Sequence, residues 1–225
     1  MPLDVNAFAL RLSGGITLVD AGGGPALGTG FGRIRPALAG MGIRPEDVEA
    51  VCLTHLHSDH AGGLFDEDRA CFPRATVMVP AAELAFFTDP AARERTHPDR
   101  RSGFRMAAAL TSAYDGRIRA LPEGPVVPGL DCVALPGHTP GHAGYRLGEG
   151  AGALLLWGDV VHLPELQVAD PDLGLVYDFD PALAAETRRS LLARCAGEQW
   201  IVAGGHTGFG RVTSGGDGFA FEPLP

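Results

Sequence analysis

The residues best suited to chemistry lie close together in the stretch Leu53–Gly63, which reads LTHLHSDHAGG. It contains three histidines and one carboxylate: His55, His57, Asp59 and His60. In an extended chain His55 and His57 point to the same side, and Asp59 and His60 follow after a turn and face a second point. A single tetrahedral zinc ion rarely takes four ligands from so short a run, so two adjacent metal ions are the better interpretation. The alternative, a solvated polar turn, explains this concentration of histidine poorly.

A predicted strand delivers this cluster, because the apolar run VEAVCLT ends directly before it and a Gly-Gly pair follows it. We therefore expect the cluster to lie on a loop at the end of a strand. Three later segments place a further possible ligand just after a predicted strand, and a glycine precedes each one. These ligands are His138 in LPGHTPGH, Asp159 in LLLWGD and His206 in WIVAGGH. Together the segments supply five histidines and two carboxylates, which suits two divalent ions with one carboxylate bridging them.

Hydrophobic periodicity predicts alternating strands and helices, and hence an α/β or α+β fold. A Ser13–Gly15 turn predicts a hairpin between the first two strands, and residues 81–114 predict an interrupted helical insertion. Predicted strands are Val5–Leu12, Ile16–Asp20, Pro45–Thr54, Ala75–Val79, residues 117–121, 130–135, 143–148 and 153–159, and Trp200–Ala203, before a short strand-like tail. Other predicted elements are a Gly-rich loop (Ala21–Gly32), helices at Ile34–Met41 and Pro181–Cys195, and a loop at Pro164–Asp180.

Length and composition predict one domain over residues 1–225 in a soluble, cytoplasmic protein. No apolar run is long enough to span a membrane, and the N-terminus does not resemble a signal peptide. The formal net charge of −9 argues against nucleic-acid partners, and all 18 basic residues are arginine, which excludes lysine chemistry. Four scattered cysteines predict buried free thiols: Cys52, Cys71, Cys132 and Cys195.

Taken in order, the segments HLHSDH, PGHTPGH, GD and GGH resemble the motifs of the metallo-β-lactamase superfamily. The resemblance covers nearly the whole chain and implies a four-layered αβ/βα sandwich with two divalent metal ions. These are most naturally zinc, although manganese, cobalt or iron suit the same ligands. Carried over by position, it implies the following ligands: His55, His57 and His138 for the first metal, Asp59, His60 and His206 for the second, and Asp159 as the bridge.

Asp159 also narrows the choice of branch within the superfamily, because β-lactamases of this fold usually lack the bridging aspartate. The region from Leu154 onward is more similar to methyl parathion hydrolases and their lactonase relatives. Lactonases often carry a tyrosine three residues after the bridging aspartate, whereas this chain has His162. The implied function is hydrolysis of a small ester, lactone or phosphotriester by an activated hydroxide. The alternatives are a thioesterase of glyoxalase II type and a metal-binding module without hydrolytic activity.

Two residues are candidates for catalysis: Asp59, which would orient the nucleophile and receive a proton, and His162, which either reaches the substrate or a metal ligand or is simply packed. We expect His142 to make a structural hydrogen bond. The partner is expected to be a small molecule, and the oligomeric state stays open. Candidate walls of the substrate pocket are aromatic residues of the Gly-rich loop and of the insertion: Phe31, Phe86, Phe87 and Phe104.

Overall fold

The structure is a computed structural model that describes residues 3–216 and 218–225. Its contacts divide the chain into two compact units. The N-terminal unit comprises residues 5–122, and the C-terminal unit comprises residues 123–225 together with the start of the chain. The assignment of residues 1–225 to a single domain stays a prediction.

The N-terminal unit is built on a five-stranded sheet of order β1-β2-β3-β6-β7, beside a small β4-β5 hairpin. Its strands are β1 (Phe8–Leu12), β2 (Gly15–Val19), β3 (Val48–Cys52), β4 (Phe65–Asp66), β5 (Arg69–Ala70), β6 (Thr76–Pro80) and β7 (Ile118–Leu121). The predicted first hairpin is confirmed, since β1 and β2 pair antiparallel. Within this sheet the neighbours β2, β3, β6 and β7 pair parallel, so β2, β3 and β6 end at the same edge of the sheet.

Five helices accompany this sheet: α1 (Ile34–Gly40), α2 (Ser58–Ala61), α3 (Ala81–Thr88), α4 (Pro90–Arg95) and α5 (Ser102–Ala113). The predicted interruptions of the insertion are confirmed. Asp89 ends α3, and its Oδ1 accepts the Ala91 N–H at 2.8 Å at the start of α4. The expectation that the cluster lies on a loop holds for His55 and His57 and is wrong for Asp59 and His60, which lie in α2. The carbonyl of His57 accepts the N–H groups of His60 and Ala61, and this closes the single turn of α2.

The C-terminal unit contains a seven-stranded sheet of order β14-β13-β12-β11-β10-β9-β8. Its strands are β8 (Gly124–Val127), β9 (Leu130–Ala134), β10 (Ala143–Leu147), β11 (Leu154–Leu156), β12 (Ile201–Ala203), β13 (Gly210–Gly215) and β14 (Gly218–Pro223). Neighbouring strands pair antiparallel except β11 and β12, which pair parallel and therefore end at the same edge. The segments that carry Asp159 and His206 leave the sheet together there, and the Gly205 N–H donates to the Gly158 carbonyl at 3.1 Å.

Two helices belong to this unit, α6 (Pro164–Gln167) and α7 (Pro181–Glu198). The turn α6 lies in a stretch predicted as loop, and α7 runs three residues beyond its predicted end. Helix α7 starts where Asp180 caps the Leu183 N–H at 3.0 Å and Pro181 takes the first position. It packs its apolar residues into the core of the unit, against side chains of the sheet: Leu191, Leu192 and Cys195 against Leu155, Trp157, Trp200 and Val202.

The prediction of buried, free thiols is confirmed for all four cysteines. Burial raises the pKa of Cys71 and of Cys132 to about 11, and that of Cys195 to about 12. Because the thiolate is the nucleophilic form, these cysteines suit packing rather than chemistry. Among the described residues, no helix has the length and apolar character needed to cross a membrane.

Candidate metal centre

The N-terminal unit brings four of the predicted ligands together. His55 and His60 are fully buried, and His57 and Asp59 are partly buried. The ring of His55 has its centroid 4.5 Å from that of His57 and 4.2 Å from that of His60. Asp59 lies in the first turn of α2, where its Oδ2 is 3.7 Å from Nε2 of His60. Local sequence thus clusters three imidazoles and one carboxylate at the end of β3.

Asp20 determines how two of these imidazoles are oriented. It follows β2 at the shared sheet edge, is 2% exposed and adopts a positive φ of 58°. One carboxylate oxygen accepts the backbone N–H of Thr54 at 2.8 Å. The other accepts from Nδ1 of His60 and from the Thr54 hydroxyl, both at 2.9 Å. Thr54 has then used its only hydroxyl proton, so its oxygen accepts from Nδ1 of His55 at 2.9 Å.

One carboxylate therefore selects the Nδ1–H tautomer of both His60 and His55 and leaves each Nε2 with a lone pair. Neutral imidazoles with Nε2 as acceptor are the form that binds a divalent metal. A second buried carboxylate supports the backbone between the ligands: Oε1 of Glu83, on α3, accepts the N–H of Leu56 at 2.8 Å.

The C-terminal unit gathers a second set around Asp159. Oδ2 of Asp159 lies 3.4 Å from Nε2 of His138 and 3.2 Å from Nε2 of both His162 and His206. Asp159, His138 and His162 also have ligand atoms mutually within 4.8 Å, the spacing of a possible metal site. All three of these residues are buried.

Two of these contacts involve a ring whose Nδ1 is already held by an acceptor. Nδ1 of His138 faces a carboxylate oxygen of Asp178 at 3.0 Å, and Nδ1 of His206 faces the Asp4 carbonyl at 2.6 Å. Both partners only accept, so each Nδ1 carries a proton, and in the neutral form of the ring each Nε2 turns a lone pair toward the Asp159 carboxylate. Such an arrangement is repulsive unless a positive charge stands among these atoms. The Asp159 oxygen and these Nε2 atoms therefore fit a bound divalent cation as its ligands.

Asp178 and Arg188 support His138 on the side away from Asp159. Arg188, on α7, is fully buried and donates to the carbonyls of Val160, Pro171 and Leu173 at 2.7, 2.7 and 3.0 Å. Its guanidinium lies 3.7 Å from Asp178. Burial acts to raise the pKa of Asp178, but the hydrogen bond and charge of His138, together with Arg188, outweigh it and hold the pKa below its ordinary value.

His142 and His162 differ in role. His142 donates from Nδ1 to the Leu135 carbonyl at 2.8 Å, and its Nε2 accepts the Asp159 N–H at 2.9 Å, so both nitrogens are used. The expected structural role of His142 is confirmed. Within the part of the chain that the structure describes, Nδ1 of His162 has no hydrogen-bond partner. Burial lowers the pKa of His162 below its ordinary value, although Asp159 acts in the opposite direction.

Three of the four predicted pocket aromatics lie together in the insertion. The rings of Phe86, Phe87 and Phe104 have centroids 4.9–5.5 Å apart, and Phe87 and Phe104 are almost fully buried. Phe87 and Phe104 also line a groove of about 870 Å³ between α3, α4 and α5. Phe31 is apart from this cluster and packs on Gly23 of the Gly-rich loop. The role of these four phenylalanines as walls of the substrate pocket stays a prediction.

The sequence analysis missed the residues that orient the ligands: Asp20, Thr54, Glu83, Asp178 and Arg188. One signal was available for Asp20, a carboxylate that directly follows the apolar strand ITLV at the same sheet edge as His55. Asp178 and Arg188 lie in a polar loop and on a helix, where acidic and basic residues are ordinary. Only their burial distinguishes them.

Parallel strands that deliver histidines and carboxylates to a sheet edge define a metallohydrolase-like class of protein. Residues 1–206 match the model of the metallo-β-lactamase superfamily, and the chain belongs to this superfamily. It is 30% identical over 190 residues to a probable metallo-hydrolase of Mycobacterium tuberculosis, a match that covers 70% of this chain and 60% of that protein. It is 28% identical over 178 residues to an N-acyl homoserine lactonase of Bacillus cereus, covering 77% and 62% of the two chains. The chain thus spans about 60% of the length of these relatives.

Solved structures agree with the predicted fold class. The hydrolase AbOPH of the β-lactamase superfamily superposes with a TM-score of 0.89 at 29% identity, covering 98% of this chain and 79% of that chain. AidC, a dizinc quorum-quenching lactonase, superposes with a TM-score of 0.88 at 21% identity, over 99% of this chain and 80% of that one. The mixed α/β fold of metallo-β-lactamase type is confirmed.

Proposed function

We propose that this chain is a dinuclear metal-dependent hydrolase of small, uncharged esters, lactones or phosphotriesters. In this proposal the first metal is held by His55, His57 and His138, and the second by Asp59, His60 and His206. Asp159 bridges them, and zinc is the expected ion because nitrogen and oxygen ligands suit it well.

One observation carries the proposal: imidazoles whose Nδ1 protons are already engaged turn Nε2 toward a buried carboxylate, where a neutral ring has only a lone pair to offer. A structural polar core does not place acceptors against one another, because each such contact costs free energy in a low-dielectric interior. Matching orientation of His55 and His60 through Asp20 in the other unit supports the same reading. Membership of the superfamily agrees with it.

Divalent ions bound by these residues would lower the pKa of water to around 7 and polarise a carbonyl or phosphoryl oxygen. Two side chains of the protein would then orient the reacting groups and transfer protons. In this proposal Asp59, which is partly exposed and lies on α2, accepts a hydrogen bond from the attacking water and receives its proton. His162, whose pKa burial holds below its ordinary value, hydrogen-bonds the substrate or the leaving group in this proposal.

The substrate class follows from charge and from relatives. A net charge of −9 disfavours strongly anionic substrates at long range. Relatives are named metallo-hydrolases and N-acyl homoserine lactonases. The competing functions are a thioesterase of glyoxalase II type and a metal-binding protein without hydrolytic activity.

Metal analysis paired with a substrate panel tests this proposal. We expect two metal ions per chain, about 3.5–4 Å apart by anomalous diffraction, as in other dinuclear hydrolytic sites. Neutral lactones, including N-acyl homoserine lactones, and aryl esters should have a kcat/KM at least about tenfold above glutathione and coenzyme A thioesters. The reverse order of kcat/KM would establish the thioesterase, and a fully metallated protein inert on the whole panel would establish the non-hydrolytic module.

Replacing Asp59 by alanine should lower kcat by about 10²–10³-fold, the loss typical of one electrostatic group at a reacting centre. The melting temperature should stay nearly unchanged, since the side chain is partly exposed and lies in a single helical turn. Rate, metal content and melting are compared in one preparation, with Asp66→Asn as an exposed control. Full turnover at full metal content would show that Asp59 has no catalytic role.

A further inference from the structure

Exposed apolar side chains concentrate in one short segment of the C-terminal unit. Among the described residues eight large apolar side chains are exposed, and four of them fall between residues 166 and 177. These are Leu166 (53% exposed), Leu173 (37%), Val176 (81%) and Tyr177 (56%). Such a concentration on a soluble surface marks a place where something apolar binds.

The backbone of this segment is firmly held, which separates it from an ordinary solvated loop. The Leu173 carbonyl accepts from Gln167 Nε2 and from Arg188, each at 3.0 Å. The Leu175 N–H donates to Asp178, and the Asp178 N–H donates back to the Leu175 carbonyl. The side chains are therefore exposed on a fixed frame, and they keep a standing apolar surface that costs free energy while it faces water.

This surface borders the Asp159 set. The ring centroid of Tyr177 lies 6.3 Å from that of His162, at an interplanar angle of 30°. The next residue, Asp178, holds His138, and the Phe179 N–H donates to the His138 carbonyl at 3.0 Å. The same short chain segment thus contacts two histidines of the candidate metal centre and carries the exposed apolar residues.

Charge around the segment favours an uncharged occupant. Four exposed acids lie within residues 164–180: Glu165, Asp170, Asp172 and Asp180. Asp172 pairs with Arg189. Residues 164–180 contain no basic residue, so a negatively charged group on a substrate would meet acids and no cation within this segment.

We infer that Leu173, Val176 and Tyr177 form an apolar wall that binds the uncharged alkyl chain of the substrate. The inference rests on the proposed hydrolase function and deepens it. The cleaved bond lies at the metal ligands, and the substituent extends along the wall with Tyr177 as the aromatic contact nearest His162. The apolar contact then comes from the 173–177 segment, in addition to any made by the predicted phenylalanines.

Kinetics on an ester series tests the wall. Tyr177→Ala should lower kcat/KM for 4-nitrophenyl octanoate about tenfold, as expected for the loss of one large apolar contact, with the change carried by KM. For 4-nitrophenyl acetate, which is too short to reach the wall, kcat/KM should change less than about twofold. Val176→Ala should act in the same direction, and Met41→Ala, an equally exposed residue of the N-terminal unit, should leave both esters unchanged. Equal losses for the two esters would overturn the inference.

Equilibrium binding separates this inference from the proposed function. Calorimetry measures the Kd of 4-nitrooctananilide, an amide that replaces the cleavable ester, with metal-free and metal-loaded protein. We expect Tyr177→Ala to weaken binding about tenfold in both forms. If the wild type cleaves no ester but this difference persists, the hydrolase assignment fails and the wall stands; if binding is indifferent to the substitution, the wall is wrong. Sedimentation velocity tests whether a second copy of the chain occupies this surface instead. A dimer that Tyr177→Ala converts to monomer, with unchanged anilide binding, would overturn the inference in favour of a contact between copies.

Discussion

Asp159→Asn should lower kcat/KM by at least about a thousandfold and reduce the metal content from two ions per chain to one. The carboxylate Oδ2 lies within 3.4 Å of three imidazole Nε2 atoms, so its charge is the common anchor of that set. Asparagine has almost the same shape, and therefore the substitution removes charge without leaving a cavity. Steady-state kinetics and metal analysis on the same preparation measure both effects.

Thermal melting adds a readout that is independent of turnover. Saturating metal should raise the melting temperature of the wild type through preferential binding to the folded state, and this rise should shrink in Asp159→Asn. The matched control is Asp131→Asn on β9, which breaks a partly exposed ion pair with Arg146 and should leave metal content and rate unchanged. Two tightly bound ions and a wild-type rate in Asp159→Asn would disprove the bridging role.

Asp20→Asn should weaken metal binding by about 10–100-fold, the usual cost of losing a residue that orients a metal ligand. The asparagine oxygen can still accept from Thr54, but its amide then presents a donor to Nδ1 of His60. His60 is forced to carry its proton on Nε2, the nitrogen that has to face the metal. We also expect a loss of about 1–3 kcal/mol in the free energy of unfolding, because buried polar groups lose their partners.

Chelator competition measures metal affinity and urea unfolding measures stability, both with Asp66→Asn as control. Asp66 pairs with Arg35 on the surface, where both side chains are about half exposed, so its loss should change stability by less than about 0.5 kcal/mol. An unchanged metal affinity in Asp20→Asn, with His60 still bound, would show that the tautomer of His60 does not depend on Asp20.

Much of the fold could be predicted because its signals are local. The apolar runs before Asp20, His55, Asp159 and His206 are short and flanked by turns, and each forms a strand at or near its predicted position. The strands β4, β5 and β8 and the turn α6 were missed, since segments of two to four residues carry too little periodicity. The turn α2 was missed because a Ser-Asp-His run is typical of loops, and backbone hydrogen bonds from His57 override that preference.

The sequence by itself determined which groups are available for chemistry: three imidazoles and a carboxylate within six residues, and three more candidate ligands just beyond strands. Residue type and local spacing are enough for that, because a strand that ends at a sheet edge presents the next side chains there. It also excluded lysine chemistry outright.

The tertiary structure alone decided which ring nitrogen of His60, His138 and His206 is held by a hydrogen-bond acceptor. That choice depends on acceptors distant in the chain: Asp20 for His60 and Asp178 for His138, each 40 residues away, and the Asp4 carbonyl for His206, 202 residues away. It likewise decided that Tyr177 lies beside His162. Pairings of this kind leave no periodic trace in the sequence, because they arise only when folding excludes water and brings the two partners together.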